Sequence, residues 1–130
     1  MTGPDVVVLD ASALLAWLFE EPGSDVVEPL LGEAILSTVN LAEVRQKLEG
    51  RGVDADRTAR RLRLLGVRAE PFSEIDAARA AGLWRAGRSV GLSLADRCCL
   101  ALAGRFGVPA VTADRSWSEL DLPIEVRVIH

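Results

Sequence analysis

Residues 5–12, DVVVLDAS, constrain the fold of this chain more than any other stretch. Three consecutive valines and Leu9 form a short, β-branched apolar run of the kind that is buried on both faces of a parallel sheet. The run stops abruptly on Asp10, and Ser12 is predicted to cap the helix that follows. A buried strand that ends on a carboxylate indicates a functional site at that edge of the sheet.

Strand-like and helix-like patterns alternate through the rest of the chain. Further strands are predicted at 34–36, 67–70, 110–112 and 125–129, the last with the alternation of an exposed edge strand. Helices are predicted at 13–20, 40–50, 54–66, 74–86 and 93–106, and a helical turn at 116–120. The pattern of residues 26–31 predicts neither a helix nor a strand. The core candidates of the 74–86 helix are Ile75, Ala78, Leu83 and Trp84.

This alternation predicts right-handed βαβ crossovers and a parallel sheet covered by helices on both faces. The expected class is therefore α/β, a three-layer α/β/α fold with a central, mainly parallel sheet. No internal repeat or low-complexity tract interrupts the pattern, and 130 residues suit one domain spanning residues 1–130.

Composition limits the cellular setting and the class of partner. Cys98 and Cys99 are adjacent and cannot form a disulfide framework, which favours a reducing, cytoplasmic location. No leader pattern or long apolar stretch predicts export or membrane association. The net charge of −4 argues weakly against a nucleic-acid binder. Bound metal ions that neutralise several carboxylates would offset this negative charge.

Four acidic residues are predicted to meet at one edge of the sheet. Asp10 and Asp114 directly follow strands, whereas Glu43 and Asp96 lie in the first turn of helices. Strand carboxyl ends and the following helix N-termini share one edge in such folds. Clustered carboxylates repel one another, so a hard cation such as Mg²⁺ or Mn²⁺ is expected to bind between them.

Short polar side chains accompany these acids. Ser12, Asn40 and Thr112 lie at the same strand ends, where they could orient carboxylates or act as ordinary caps. Arg97 and Arg115 stand beside two of the acids and are candidate contacts for substrate phosphate. Zinc is poorly supported, because His130 is the single histidine and both thiols lie in one helix.

Each acid also has a structural interpretation. Asp10 could be a turn residue, Glu43 and Asp96 could complete capping boxes, and Asp114 could cap the turn after it. These roles do not explain why a nearly all-apolar helix contains Asp96, or why all four acids fall on one edge. The combined pattern favours a metal site.

Four segments together resemble the PIN domain, specifically the VapC-type toxins of bacterial toxin–antitoxin pairs. They are LDASALLAWLFEEPGS, STVNLAEV, GLSLADRCCLALA and VTADRSW, and the resemblance spans residues 6–117. It implies a metal-dependent endoribonuclease with Asp10, Glu43, Asp96 and Asp114 as ligands of Mg²⁺ or Mn²⁺ and Thr112 as their polar companion. It also implies a homodimer inhibited by a cognate VapB-like antitoxin.

The expected function is hydrolysis of RNA phosphodiester bonds by metal-activated water. An aspartyl-nucleophile phosphatase usually has a second acid two residues after the first, where this chain has Ser12. A catalytically silent PIN-like binding module is the other alternative. The sequence leaves open the RNA that is cut, the number of metal ions, and the role of the arginine-rich stretch 57–63.

Overall fold

The structure is a computed structural model that describes residues 5–130, in which a five-stranded sheet is covered by helices on both faces. The strand order is β3-β2-β1-β4-β5, and every pair of neighbours is parallel. The strands are β1 (Val7–Leu9), β2 (Ala34–Ser37), β3 (Arg68–Glu70), β4 (Ala110–Thr112) and β5 (Val126–Val128). The predicted three-layer α/β/α class is confirmed, with β1 at the centre of the sheet.

Seven α-helices and three 3₁₀ segments connect the strands within residues 5–130. The helices are α1 (Ala11–Leu18), α2 (Ser24–Val27), α3 (Thr38–Gly50), α4 (Ala55–Leu64), α5 (Glu74–Gly82), α6 (Trp84–Gly87) and α7 (Leu94–Phe106). The 3₁₀ segments are Glu28–Glu33, Arg88–Val90 and Arg115–Glu119. The two longest helices have 13 residues each, and within residues 5–130 none has the length and apolarity to cross a membrane.

The alternation of side chains along β1 divides the core into two layers. Val7 and Leu9 pack with α1, α3 and α4, whereas Val8 faces α7 on the other side of the sheet. All three side chains are fully buried, as the apolar run predicted. Complete burial of each such side chain contributes about 1.5–3 kcal/mol, so this short strand is a strong anchor for the sheet.

Two helices begin earlier than the sequence predicts, because different residues cap them. Helix α1 begins at Ala11, and the Asp10 carboxylate rather than Ser12 caps it by accepting a hydrogen bond from the Ala13 N–H. Helix α3 begins at Thr38, and Ser37 caps it. The prediction that Asn40 begins this helix was therefore wrong, and Asn40 instead lies inside its first turn.

The predicted core of the 74–86 helix was largely wrong. The segment divides into α5 and α6, and Ile75 and Trp84 are 61% and 53% exposed. The buried positions are Asp76 and Ala80, with Leu83 partly buried behind them. This stripe has helical spacing, but its first member is an acid, so a search for apolar periodicity selects the wrong face.

Candidate functional site

The carboxyl ends of β1, β2 and β4 meet the N-termini of α1, α3 and α7 at one edge of the sheet. Asp10 and Asp114 follow β1 and β4, and Asp96 lies in the first turn of α7 as predicted. Glu43 lies in the second turn of α3 rather than the first, because that helix begins earlier than predicted. We call the carboxylates of these four residues the acidic rim. Its members are Asp10, Glu43, Asp96 and Asp114.

Asp10 is the most enclosed member of the acidic rim, with 4% of its surface exposed. Its carboxylate accepts hydrogen bonds from the Ala13 N–H at 2.8 Å, the Ser12 hydroxyl at 2.8 and 2.9 Å, and the Thr112 hydroxyl at 2.6 Å. Burial raises the pKa of Asp10 to about 6 against the effect of these three donors, and the Asp96 charge raises it further. The two carboxylates therefore interact electrostatically, and additional positive charge would stabilise Asp10 in its ionised form.

Asn40 connects the Glu43 carboxylate to α7. The Asn40 amide nitrogen donates to Glu43 Oε1 at 2.9 Å and to the Ala95 carbonyl at 3.1 Å. Ala95 directly precedes Asp96, so this side chain fixes two members of the acidic rim relative to each other. Asn40 is 1% exposed, and its buried Oδ1 atom has no hydrogen-bond partner within residues 5–130.

Asp96 lies in the first turn of α7, where it forms a capping box with Ser93. The Ser93 N–H donates to Asp96 Oδ2 at 2.9 Å, and the Asp96 N–H donates to Ser93 Oγ at 3.1 Å. One turn later, burial raises the pKa of the Cys99 thiol well above its ordinary value, and the charges of Asp10, Asp96 and Glu43 add to this effect. Three acids of the rim thus act on the same buried thiol.

Asp114 is the exposed member of the acidic rim and joins it through Thr112. The Asp114 N–H donates to Thr112 Oγ1 at 3.0 Å, and the same hydroxyl donates to Asp10. The Asp114 carboxylate accepts hydrogen bonds from the Ser116 N–H and hydroxyl at 2.9 and 2.7 Å, and so caps the 3₁₀ segment that follows. The predicted capping role of Asp114 is therefore confirmed, and its backbone is linked to Asp10 through Thr112.

The acidic rim offers the type of ligand atom that a hard divalent cation prefers. Carboxylate oxygens dominate the site, the nearby thiols of Cys98 and Cys99 are buried, and the buried Oδ1 of Asn40 is a further acceptor. Within residues 5–130, no three His, Cys, Asp or Glu side chains are grouped closely enough to hold a metal ion. Each of the other three acids is turned toward a local partner, so their predicted role as metal ligands stays a prediction.

The two arginines that were predicted to contact substrate have different surroundings. Arg97 is partly buried and donates from Nη1 to the Ala80 carbonyl at 2.8 Å, which joins α7 to α5. Arg115 is exposed and donates from Nε to the carbonyl of His130 at 3.0 Å. An RNA contact by Arg97 would require it to leave this helix interface, whereas Arg115 is accessible.

Comparisons with known proteins are consistent with this geometry. The family model described as PIN domain matches residues 7–122. A toxin–antitoxin complex from Klebsiella pneumoniae superposes with a TM-score of 0.77 at 17% identity, covering 95% of this chain and 98% of the other. FitAcB from Neisseria gonorrhoeae gives a TM-score of 0.68 at 22% identity, covering 95% of this chain and 98% of the other.

A third solved structure with a similar fold is VapC20 from Mycobacterium tuberculosis, described as a sarcin-ricin loop cleaving toxin. Its TM-score is 0.68 at 20% identity, covering 87% of this chain and 93% of the other. A comparison with curated protein sequences finds no significant match. At these identities, the structural likenesses establish the fold of this chain.

Proposed function

This chain belongs to the PIN domain family, and from that premise we propose that it is a metal-dependent endoribonuclease and the toxin of a toxin–antitoxin pair. The solved structures with this fold include toxin–antitoxin complexes and an RNA-cleaving toxin. PIN nucleases generally use divalent metal ions. The proposed reaction is hydrolysis of an RNA phosphodiester bond by water, without a covalent enzyme intermediate.

The connection among the four acids is the observation that carries this proposal. Thr112 links Asp10 to the backbone of Asp114, and Asn40 links Glu43 to the turn of α7 that contains Asp96. These hydrogen bonds hold the carboxylates in place although neighbouring negative charges repel one another. A site that only stabilised the fold would gain more from apolar or paired side chains in these positions.

We propose that all four acids of the rim hold Mg²⁺ or Mn²⁺, with Ser12, Asn40 and Thr112 as the side chains that orient them. Bound Mg²⁺ would lower the pKa of the attacking water and offset charge on the reacting phosphate. Asp10 is already fixed by three donors, and Asn40 orients Glu43. Arg115 is accessible for a contact with the RNA backbone.

The surroundings of Asp10 disfavour the phosphatase alternative. Such a phosphatase usually has a second acid two residues after the nucleophile, whereas this chain has Ser12 there, and the Ser12 hydroxyl donates to the Asp10 carboxylate. A catalytically silent binding module would have the same fold. Only turnover distinguishes that alternative from a nuclease.

A cognate VapB-like antitoxin and a second copy of the chain are the proposed protein partners, in the cytoplasm. The structural neighbours include toxin–antitoxin complexes from several bacteria. If a small antitoxin is encoded beside this chain, we expect the two proteins to purify together and RNA cleavage to stop when the antitoxin is added.

The first test of the proposed function is cleavage of nucleic acid by the purified chain. We expect Mg²⁺ to support cutting of a structured RNA, a chelator to stop it, and a DNA of the same sequence to remain intact. Chelator-resistant cutting would contradict metal dependence. Absence of cutting across a panel of transfer, ribosomal and messenger RNAs would favour the silent binding module.

Metal binding should also be visible without any substrate. We expect millimolar Mn²⁺ to raise the melting temperature of the chain by several degrees, because a ligand at 100 times its Kd stabilises the folded state by about 2.7 kcal/mol. Asp10→Asn should lose most of this increase while keeping an acceptor for the Ala13 N–H. Differential scanning fluorimetry measures both proteins, and an equal increase for the two would place the metal elsewhere.

A further inference from the structure

Trp84 is an exposed aromatic residue that the acidic rim does not explain. It is 53% exposed, and the guanidinium carbon of Arg88 lies 5.0 Å from the centroid of its ring. The surrounding stretch 77–95 contains Arg79, Arg85 and Arg88 but no Asp or Glu, in a chain whose net charge is −4. The segment around Trp84 is therefore basic as well as aromatic.

The packing of α5 on α7 determines on which side of the middle of α7 Trp84 lies. Arg105 near the end of α7 contacts Asp76 near the start of α5, and Arg97 near the start of α7 contacts Ala80 further along α5. The two helices are thus antiparallel. Because α6 follows α5 and contacts α7, Trp84 lies toward the N-terminal half of α7, the half that contains Asp96.

The segment that carries Trp84 and Arg88 is supported by local contacts and by packing on the core. The Leu92 N–H donates to the Gly87 carbonyl at 3.0 Å, and a Cβ atom added at Gly87 would lie 2.7 Å from Leu92 Cδ1. Leu83 packs on the core layer that contains α7. The backbone that carries the exposed indole ring is therefore supported by contacts on both sides, and such support reduces the entropy lost when a ligand stacks on the ring.

We propose that Trp84 and Arg88 form a stacking platform for a base of single-stranded RNA next to the bond that the acidic rim cleaves. This inference rests on the proposed nuclease function and adds a substrate contact to it. Bases stack on exposed aromatic side chains whatever their sequence, and Arg85 and Arg88 would attract the adjoining phosphates. Unpaired RNA would then be preferred over a duplex, whose bases are already stacked.

The charge of this surface favours RNA over a second copy of the chain as its occupant. In a symmetric contact, the arginines beside one Trp84 would face the same arginines of the other copy, and like charges would repel. RNA carries a phosphate for every base, so it can pair with the arginines of the platform while a base stacks on its exposed aromatic ring. A self-association surface is nevertheless a measurable alternative.

Binding of a labelled single-stranded RNA in the presence of a chelator tests the platform without cleavage. We expect Trp84→Ala to weaken binding by about 10-fold or more, and Trp84→Phe to retain most of it, since one stacked base contributes that much. Ile75→Ala is the matched control, because Ile75 is 61% exposed at the opposite end of α5. Quenching of Trp84 fluorescence by RNA, lost in Trp84→Phe, would report the stacking itself.

The outcomes separate the platform from the proposed function. If the unmodified chain binds and cleaves RNA but Trp84→Ala binds it as tightly as Ile75→Ala does, the platform is wrong and the nuclease function stands. If the unmodified chain neither binds nor cleaves RNA, both proposals fail. If light scattering shows that Trp84→Ala is monomeric while Ile75→Ala is dimeric, the surface is an interface between copies and the platform is overturned.

Discussion

Asp96→Asn is expected to reduce Mg²⁺-dependent RNA cleavage by more than about 100-fold, because loss of even an outer-shell partner of a metal site costs about 10- to 100-fold. Asparagine keeps an oxygen that can accept the Ser93 N–H, so the capping box of α7 should survive. What the substitution removes is the negative charge beside Asp10. Single-turnover cleavage rates and thermal melts of both proteins measure the two effects separately.

Asp54→Asn is the matched control for this substitution. Asp54 also accepts a backbone hydrogen bond at the start of a helix, from the Arg57 N–H at 3.0 Å, but it lies outside the acidic rim. The same change of charge there should leave the cleavage rate within about twofold, as for surface substitutions away from special features. Equal rates for the two variants would remove Asp96 from the proposed metal site.

The largest expected effect on stability comes from Arg105→Met. Arg105 donates from Nε to Asp76 Oδ1 at 2.7 Å and from Nη2 to Oδ2 at 3.2 Å, and the Asp76 side chain has no exposed surface. Removing the arginine leaves an unpaired buried carboxylate, which costs about 3–5 kcal/mol. Urea denaturation should show this loss. The double variant Arg105→Met/Asp76→Leu should recover part of the lost stability. A double variant less stable than Arg105→Met would show that the unpaired Asp76 carboxylate is not the cause of the loss.

The same ion pair predicts how stability responds to acid. Burial acts to raise the pKa of Asp76, but hydrogen bonds from Arg105 and Ser73 hold it below its ordinary value in the folded chain. The stabilisation is therefore complete above the unfolded-state pKa of about 3.9, and it is lost as the pH falls through the lower folded-state value. Asp76→Asn should flatten this acid dependence of the urea midpoint, and an unchanged slope would show that another group controls it.

Local sequence patterns predicted the sheet and the elements on which the acids lie, whereas the meeting of all four acids around a metal stays a prediction. The apolar run before Asp10 is a buried strand, and the spacing of Ser93 and Asp96 is that of the capping box observed. Both features depend on neighbouring residues, so the chain shows them directly. The start of α1 was misplaced because Asp10 and Ser12 can both cap a helix, and only the fold decides between them.

Features that depend on distant partners were not predictable from local patterns. The buried face of α5 includes Asp76 because Arg105, 29 positions later, neutralises it. Asn40 was expected near Glu43, but its bond to the Ala95 carbonyl spans 55 positions. Trp84 was assigned to the core from helical spacing, whereas α6 turns it toward solvent.

Combining the substitutions of Asp10 and Asp96 tests whether the two residues belong to one metal site. Single-turnover RNA cleavage at saturating Mg²⁺ would be measured for Asp10→Asn, Asp96→Asn and the double variant. Groups that act as a unit show strongly non-additive losses, so we expect the double variant to be about as slow as the slower single variant. A double variant whose loss equals the product of the two single losses would contradict a shared site.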